Sequence, residues 1–177
     1  MTQPAAPPSD DRDWTYVITD GCAECGFVPR PATATAETLR AAIAPWRDVL
    51  ARPGVATRPE PLVWSPLEYG CHVRDVCRKF DERVRLMLDR DDPGFANWDQ
   101  DAAAIQGQYH RQDPELVAIE FAEAAQSFAD LLDTIAGEQW ERTGRRSNGS
   151  FFTVGTLAVY FSHDIEHHLH DVGVERS

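Results

Sequence analysis

The chain has 177 residues, 42% of them hydrophobic and 26% charged, with a formal net charge of −12. It is long enough to bury a sizeable core, and its acidity argues against non-specific binding to nucleic-acid phosphates or to an anionic membrane surface. No apolar run approaches the ~20 residues of a membrane span.

The opening "MTQPAAPPSDDRD" lacks a basic stretch followed by an apolar one, so it does not read as a secretory signal. Its Pro, Ala, Ser and Asp content predicts a disordered tail over residues 1–13. A cytoplasmic location is expected, and there the four cysteines, Cys22, Cys25, Cys71 and Cys77, are thiols or metal ligands sooner than disulfides. Residues 14–34 form an N-terminal extension. In it "WTYVI" has the β-branched and aromatic character of a short extended segment, and Cys22 and Cys25 follow in a Gly-flanked turn.

Residues 35–177 read as helices. In the first, Thr35 is the expected N-cap, Leu39, Ile43, Trp46 and Leu50 repeat at helical spacing, and Pro45 should bend or limit the helix. After a loop rich in Pro and Gly, Ser65 and Pro66 predict the start of a second helix. Its stripe of Tyr69, Val73, Val76, Phe80, Val84 and Met87 runs to about Asp89. The loop that follows contains Asn97, Trp98, Asp99 and Asp101, which read first as a capped helix start and alternatively as the lip of a pocket.

Asp113 and Pro114 begin a third helix with a seam of Val117, Phe121, Ala124, Phe128, Leu131 and Ile135. "GEQWERTGRRSNGS" is expected as a loop or frayed helix end, with Arg145 and Arg146 as surface charge sooner than contacts to an anionic substrate. The fourth helix should run from an N-cap at Thr153 to a stop at Gly173. Together these predict an all-α protein, an antiparallel four-helix bundle.

Four of the six histidines fall within "HDIEHHLH" on that last helix. Each residue turns a helix by about 100°, so the phase of each side chain relative to Phe161 can be read directly. His168 lies roughly 20° away and Asp164 roughly 60°, with Asp171 following at about 80°. His163 and His167 lie roughly 160° and 120° away, and His170 points outward. Asp164 and His168 are therefore an inward i,i+4 pair, and His163 and His167 an outward one. A lone inward histidine is ordinarily a core residue, but an unpaired buried carboxylate beside it costs several kcal/mol. His72, on the flank of the second helix's stripe, can reach the inward pair. Two imidazoles and one carboxylate leave open positions on zinc, or on nickel, iron or manganese.

With "WSPLEYGCHVRDV" and "HDIEHHLHDV" on its second and last helices, the chain resembles the DinB-like superfamily over roughly residues 35–173. That family comprises metal-binding four-helix bundles and includes mycothiol-dependent maleylpyruvate isomerase and bacillithiol transferase. The resemblance implies a divalent metal held by His72, Asp164 and His168, with Asp171 completing the motif behind them. In other branches of the family a His–His pair takes the place of Asp164 and His168, so His163 and His167 are the alternative partners of His72. The resemblance further implies a transferase or isomerase that presents a low-molecular-weight thiol, activated at the metal, to a small electrophile. The competing reading is a non-catalytic metal-binding or stress-response module.

Cys22 and Cys25 form a C-x-x-C knuckle followed by Gly, which supplies half of a tetrahedral zinc site. His163 and His167 have the spacing to supply the other half, so a second, structural metal site is expected there. A redox pair is the alternative. Cys71 and Cys77 read as packing thiols. A homodimer is plausible for such a bundle.

Overall fold

The computed structural model describes residues 12–174. Six α-helices account for most of it: α1 (Val17–Asp20), α2 (Thr35–Leu50), α3 (Pro66–Asp89), α4 (Gln100–Gln106), α5 (Pro114–Asp133) and α6 (Val154–Asp171). The expected tail lies outside the described residues, apart from Arg12 and Asp13.

The four long helices α2, α3, α5 and α6 form the bundle. α5 packs along both α2 and α3, and α6 packs on the same two helices. Phe128 of α5 and Phe161 of α6 meet edge to face across the middle, with ring centroids 4.9 Å apart. Trp46, Phe121, Leu157 and Ile165 complete the core. Among the described residues, no helix is long and apolar enough to cross a membrane.

Helix starts follow from local side-chain chemistry. The Ser65 hydroxyl accepts from the Glu68 N–H, and the Glu68 carboxylate accepts from the Ser65 N–H, a reciprocal cap at the head of α3. Asp113 caps α5, and Thr153 caps α6 by accepting from the Thr156 N–H. Thr35 does not cap α2. A 3-10 turn over Ala32–Ala34 precedes the helix, and the Thr35 hydroxyl instead lies among α6 groups, 3.1 Å from Ser162 Oγ and 3.4 Å from the Ala158 carbonyl. Nor does Pro45 end α2. Trp46, Val49 and Leu50 beyond it are buried, and that packing outweighs the ~3 kcal/mol a helical proline costs. In α5 the buried line passes through Ala125, Ala129 and Leu132, one residue on from the predicted Ala124 and Leu131, because the helix faces both α2 and α3.

Two segments differ in kind. "WTYVI" is helical, a 3-10 turn over Trp14–Tyr16 followed by α1, because the Asp13 carboxylate accepts from the Thr15 N–H and starts a turn there. The stretch expected as loop or frayed helix end holds a 3-10 helix (Gly137–Glu141) and the central strand of a small sheet. That sheet has β2 (Thr143–Arg146) in the centre, parallel to β1 (Gly94–Phe95) and antiparallel to β3 (Phe151–Thr153). The sheet fixes the segment after α3 and so positions Trp98.

Candidate metal centres

His72 projects from the second turn of α3, held where Ser65, Pro66 and Glu68 set the helix start. It is 1% exposed. Asp164 and His168 project from the last two turns of α6 towards it. His72 Nε2 is 3.6 Å from Asp164 Oδ1, and His168 Nε2 is 3.4 Å from the same oxygen. One donor atom from each of the three residues fits within a 4.8 Å cluster. The His168 side chain is 18% exposed and that of Asp164 22%, against 2% for His72, so the cluster opens towards solvent on the α6 side.

Burial, the largest influence on His72, lowers its pKa and keeps the ring neutral, the state a ligand requires. Burial works to raise Asp164, but His72 and His168 outweigh it and hold the carboxyl at about 2. Burial also disfavours the His168 cation, yet Asp171 and Asp164 raise its pKa. Asp171 Oδ2 lies 2.8 Å from His168 Nδ1. A carboxylate only accepts, so Nδ1 carries the proton and Nε2 is left to face the cluster.

The residues fit a divalent cation. Neither ring nitrogen of His72 and not Oδ1 of Asp164 has a hydrogen-bond partner, although all three atoms are buried. Two carboxylates converge here with two imidazoles, a surplus of negative charge that a cation balances.

An aromatic wall surrounds His72. Trp98 stacks on its ring at 5.4 Å and 9°, Trp64 packs at 5.3 Å, and Tyr69 lies 5.2 Å from His168. Asp99 caps α4 by accepting from the Ala102 N–H, as predicted, so this loop both starts a helix and sets Trp98 against His72. Trp98 beside His72 matches the alternative reading of its loop, whereas the Trp64 and Tyr69 sides of the wall were not anticipated. The trace of those two sides in the sequence is the position of Trp64 and Tyr69 inside "WSPLEYGCH".

The second pair sits on the neighbouring face of α6. His163 and His167 point away from the bundle core, as helical phase predicts, but His163 is buried beneath the N-terminal segment. Trp14 stacks on His163 at 5.3 Å and meets His167 at 5.2 Å, and Phe27 packs edge-on to His163. The donor atoms of Cys22, Cys25, His163 and His167 also lie within 4.8 Å of one another. His72 thus gathers Asp164 and His168, while His163 and His167 gather with the cysteines. His170 points out, with a side chain 55% exposed. Cys71 and Cys77 are fully buried, and burial pushes the Cys71 thiol up to about 12 and the Cys77 thiol well above its ordinary value. Arg145 pairs with Asp92 at the surface.

The sequence pattern of the DinB superfamily matches residues 53–172. The chain belongs to the DinB superfamily. That match spans both the His72 helix and the whole of α6, the two elements that carry the first cluster. A solved DinB-like bundle, YfiT from Bacillus subtilis, is similar to this DinB protein with a TM-score of 0.70 at 18% identity, covering 80% of this chain and 85% of the other. YfiT is described as a probable metal-dependent hydrolase with an unusual four-helix bundle topology. A search of curated proteins finds no match for this DinB chain.

Proposed function

We propose that this DinB protein is a metal-dependent enzyme in which His72, Asp164 and His168 hold a divalent cation, zinc first among the candidates, and a small-molecule thiol is the nucleophile. The observation that carries the reading is the convergence of one donor atom each from His72, Asp164 and His168, with the His72 ring and Asp164 Oδ1 buried and without hydrogen-bond partners, at a cluster open on one side. A cation bound there would supply Lewis acidity that lowers the pKa of a group placed at its open position. Three protein ligands leave such a position. Asp171 would orient His168, and the stack of Trp98 on His72 would hold that ring in place and form an apolar wall for an electrophile.

The surroundings favour a thiol over water. The carboxylates near the centre are engaged, Asp171 with His168 and Asp75 with Arg74 and Tyr109. A bound cation acidifies water as well as a thiol, but a thiol starts several pKa units closer to ionisation and so reaches the anion more readily. Hydrolysis, the activity ascribed to YfiT, is the second reading.

Metal analysis of the purified protein and of His72→Ala tests the centre: the variant should lose the metal bound there, and unchanged content would refute the ligand assignment. Wild type is then offered mycothiol, bacillithiol or glutathione with model electrophiles, and separately esters and amides without thiol. Thiol consumption absent in His72→Ala supports the transferase or isomerase reading. Hydrolysis without thiol supports the second. Turnover of neither leaves a non-catalytic metal-binding module.

A further inference from the structure

The N-terminal segment is attached to α6 through a group of side chains that the reaction above does not use. We propose that Cys22, Cys25, His163 and His167 form a closed, four-coordinate zinc site that fixes this segment to the last helix, distinct from the centre at His72.

The donor set is two thiols and two imidazoles, the composition of structural zinc sites. Cys22 Sγ and His167 Nδ1 are 3.8 Å apart. A tetrahedron with the usual zinc–sulfur and zinc–nitrogen bond lengths requires about 3.6 Å between such donors. All four donors lie within 4.8 Å, so small side-chain adjustments suffice to close the tetrahedron.

The backbone is shaped for it. Gly21 and Gly26, at φ 74° and 71°, flank the two cysteines, and the Cys22 N–H donates to the Phe27 carbonyl at 2.9 Å to close the knuckle. A Cβ on Gly21 would stand 2.4 Å from that carbonyl oxygen. Both thiols therefore face α6 from one tight turn.

The surroundings exclude an open position. Cys22, Cys25 and His163 are 3%, 6% and 5% exposed. Val17, Phe27, Trp14, Val159 and Tyr160 enclose them. Arg30 pairs with Glu166 of α6 at the edge of the same contact. The His167 side chain is 13% exposed, and with four protein donors to fill the coordination of a zinc ion the site is structural.

The two clusters also share a support. Asp171 Oδ2 contacts His168 Nδ1, and its Oδ1 lies 3.7 Å from His167 Nε2. One carboxylate thus backs a histidine in each cluster, and in both cases leaves the other ring nitrogen facing the donors.

The test uses the full chain, purified reduced from zinc-replete medium and then exchanged with cobalt(II). Wild type and His72→Ala should both show the thiolate-to-cobalt charge-transfer band and the intense visible bands of a tetrahedral ion. A Cys22→Ser, Cys25→Ser variant should lack the charge-transfer band and carry one zinc fewer per chain than wild type. Should that variant fail to fold, the His72→Ala spectrum decides alone, since the centre at His72 offers no thiolate. Absence of the charge-transfer band from both wild type and His72→Ala, zinc content unchanged by loss of the cysteines, or a Cys22–Cys25 disulfide in reduced, zinc-replete protein would overturn the proposal.

Discussion

Glu68 sits buried at the head of α3, where its carboxylate accepts from the Ser65 N–H and hydroxyl at 2.8 and 2.9 Å and from the Arg58 guanidinium. Burial works to raise its pKa, but Arg58 and Ser65 outweigh that and lower it below the ordinary 4.5. A carboxyl with a lowered folded pKa contributes stability above its unfolded value and loses it as pH falls through the folded one. Glu68→Gln should therefore cost about 1–3 kcal/mol at neutral pH, since a hydrogen-bonded charge pair is broken and Arg58 is left behind. The gap to wild type should narrow as pH falls below 4.5. Urea unfolding of both proteins at neutral and acid pH checks this. His72 projects from the next turn of the same helix, so this cap holds the frame on which the first cluster is built.

The elements most legible in the sequence are those whose cause is local. Ser65–Pro66, Asp113–Pro114 and Thr153 mark helix starts because each cap is made by a residue to its own near neighbours. The split of the α6 histidines into two faces was equally readable, because helical phase depends on spacing alone. What covers each face was not. Helical phase gives the direction of His163 but holds no information about Trp14 and Phe27, more than a hundred residues earlier. The small sheet was missed for the same reason: strands of two to four residues carry no alternation, and β1 meets β2 only through pairing across some fifty residues. The knuckle that delivers this cover depends on Gly21, where a side chain would meet both a positive φ and the Phe27 carbonyl. Gly21→Ala should loosen residues 14–27 from α6 while leaving the bundle folded. Hydrogen exchange should then rise at the amides of Cys22 and its neighbours, with α2, α3 and α5 unchanged.

At the scale of the molecule, the bundle core and the two clusters share α6, which gives one side to Phe80 and Phe128 and the other to the N-terminal segment. Phe161 is at the centre of that core, 1% exposed. Phe161→Ala should cost about 3–5 kcal/mol in denaturant unfolding, the range for emptying a buried aromatic position. It removes packing one turn before Asp164 and two before His168, so the geometry of the first cluster should soften with it. The contact between Cys22 and His167 spans 145 residues of chain. A ribosome adding roughly 5–20 residues per second needs on the order of ten seconds or more to travel that distance. Throughout that interval the knuckle has emerged and its covering helix has not been made. The segment made before the bundle is thus among the last to be seated, and its two thiols face the surrounding redox chemistry before the α6 histidines exist to shield them.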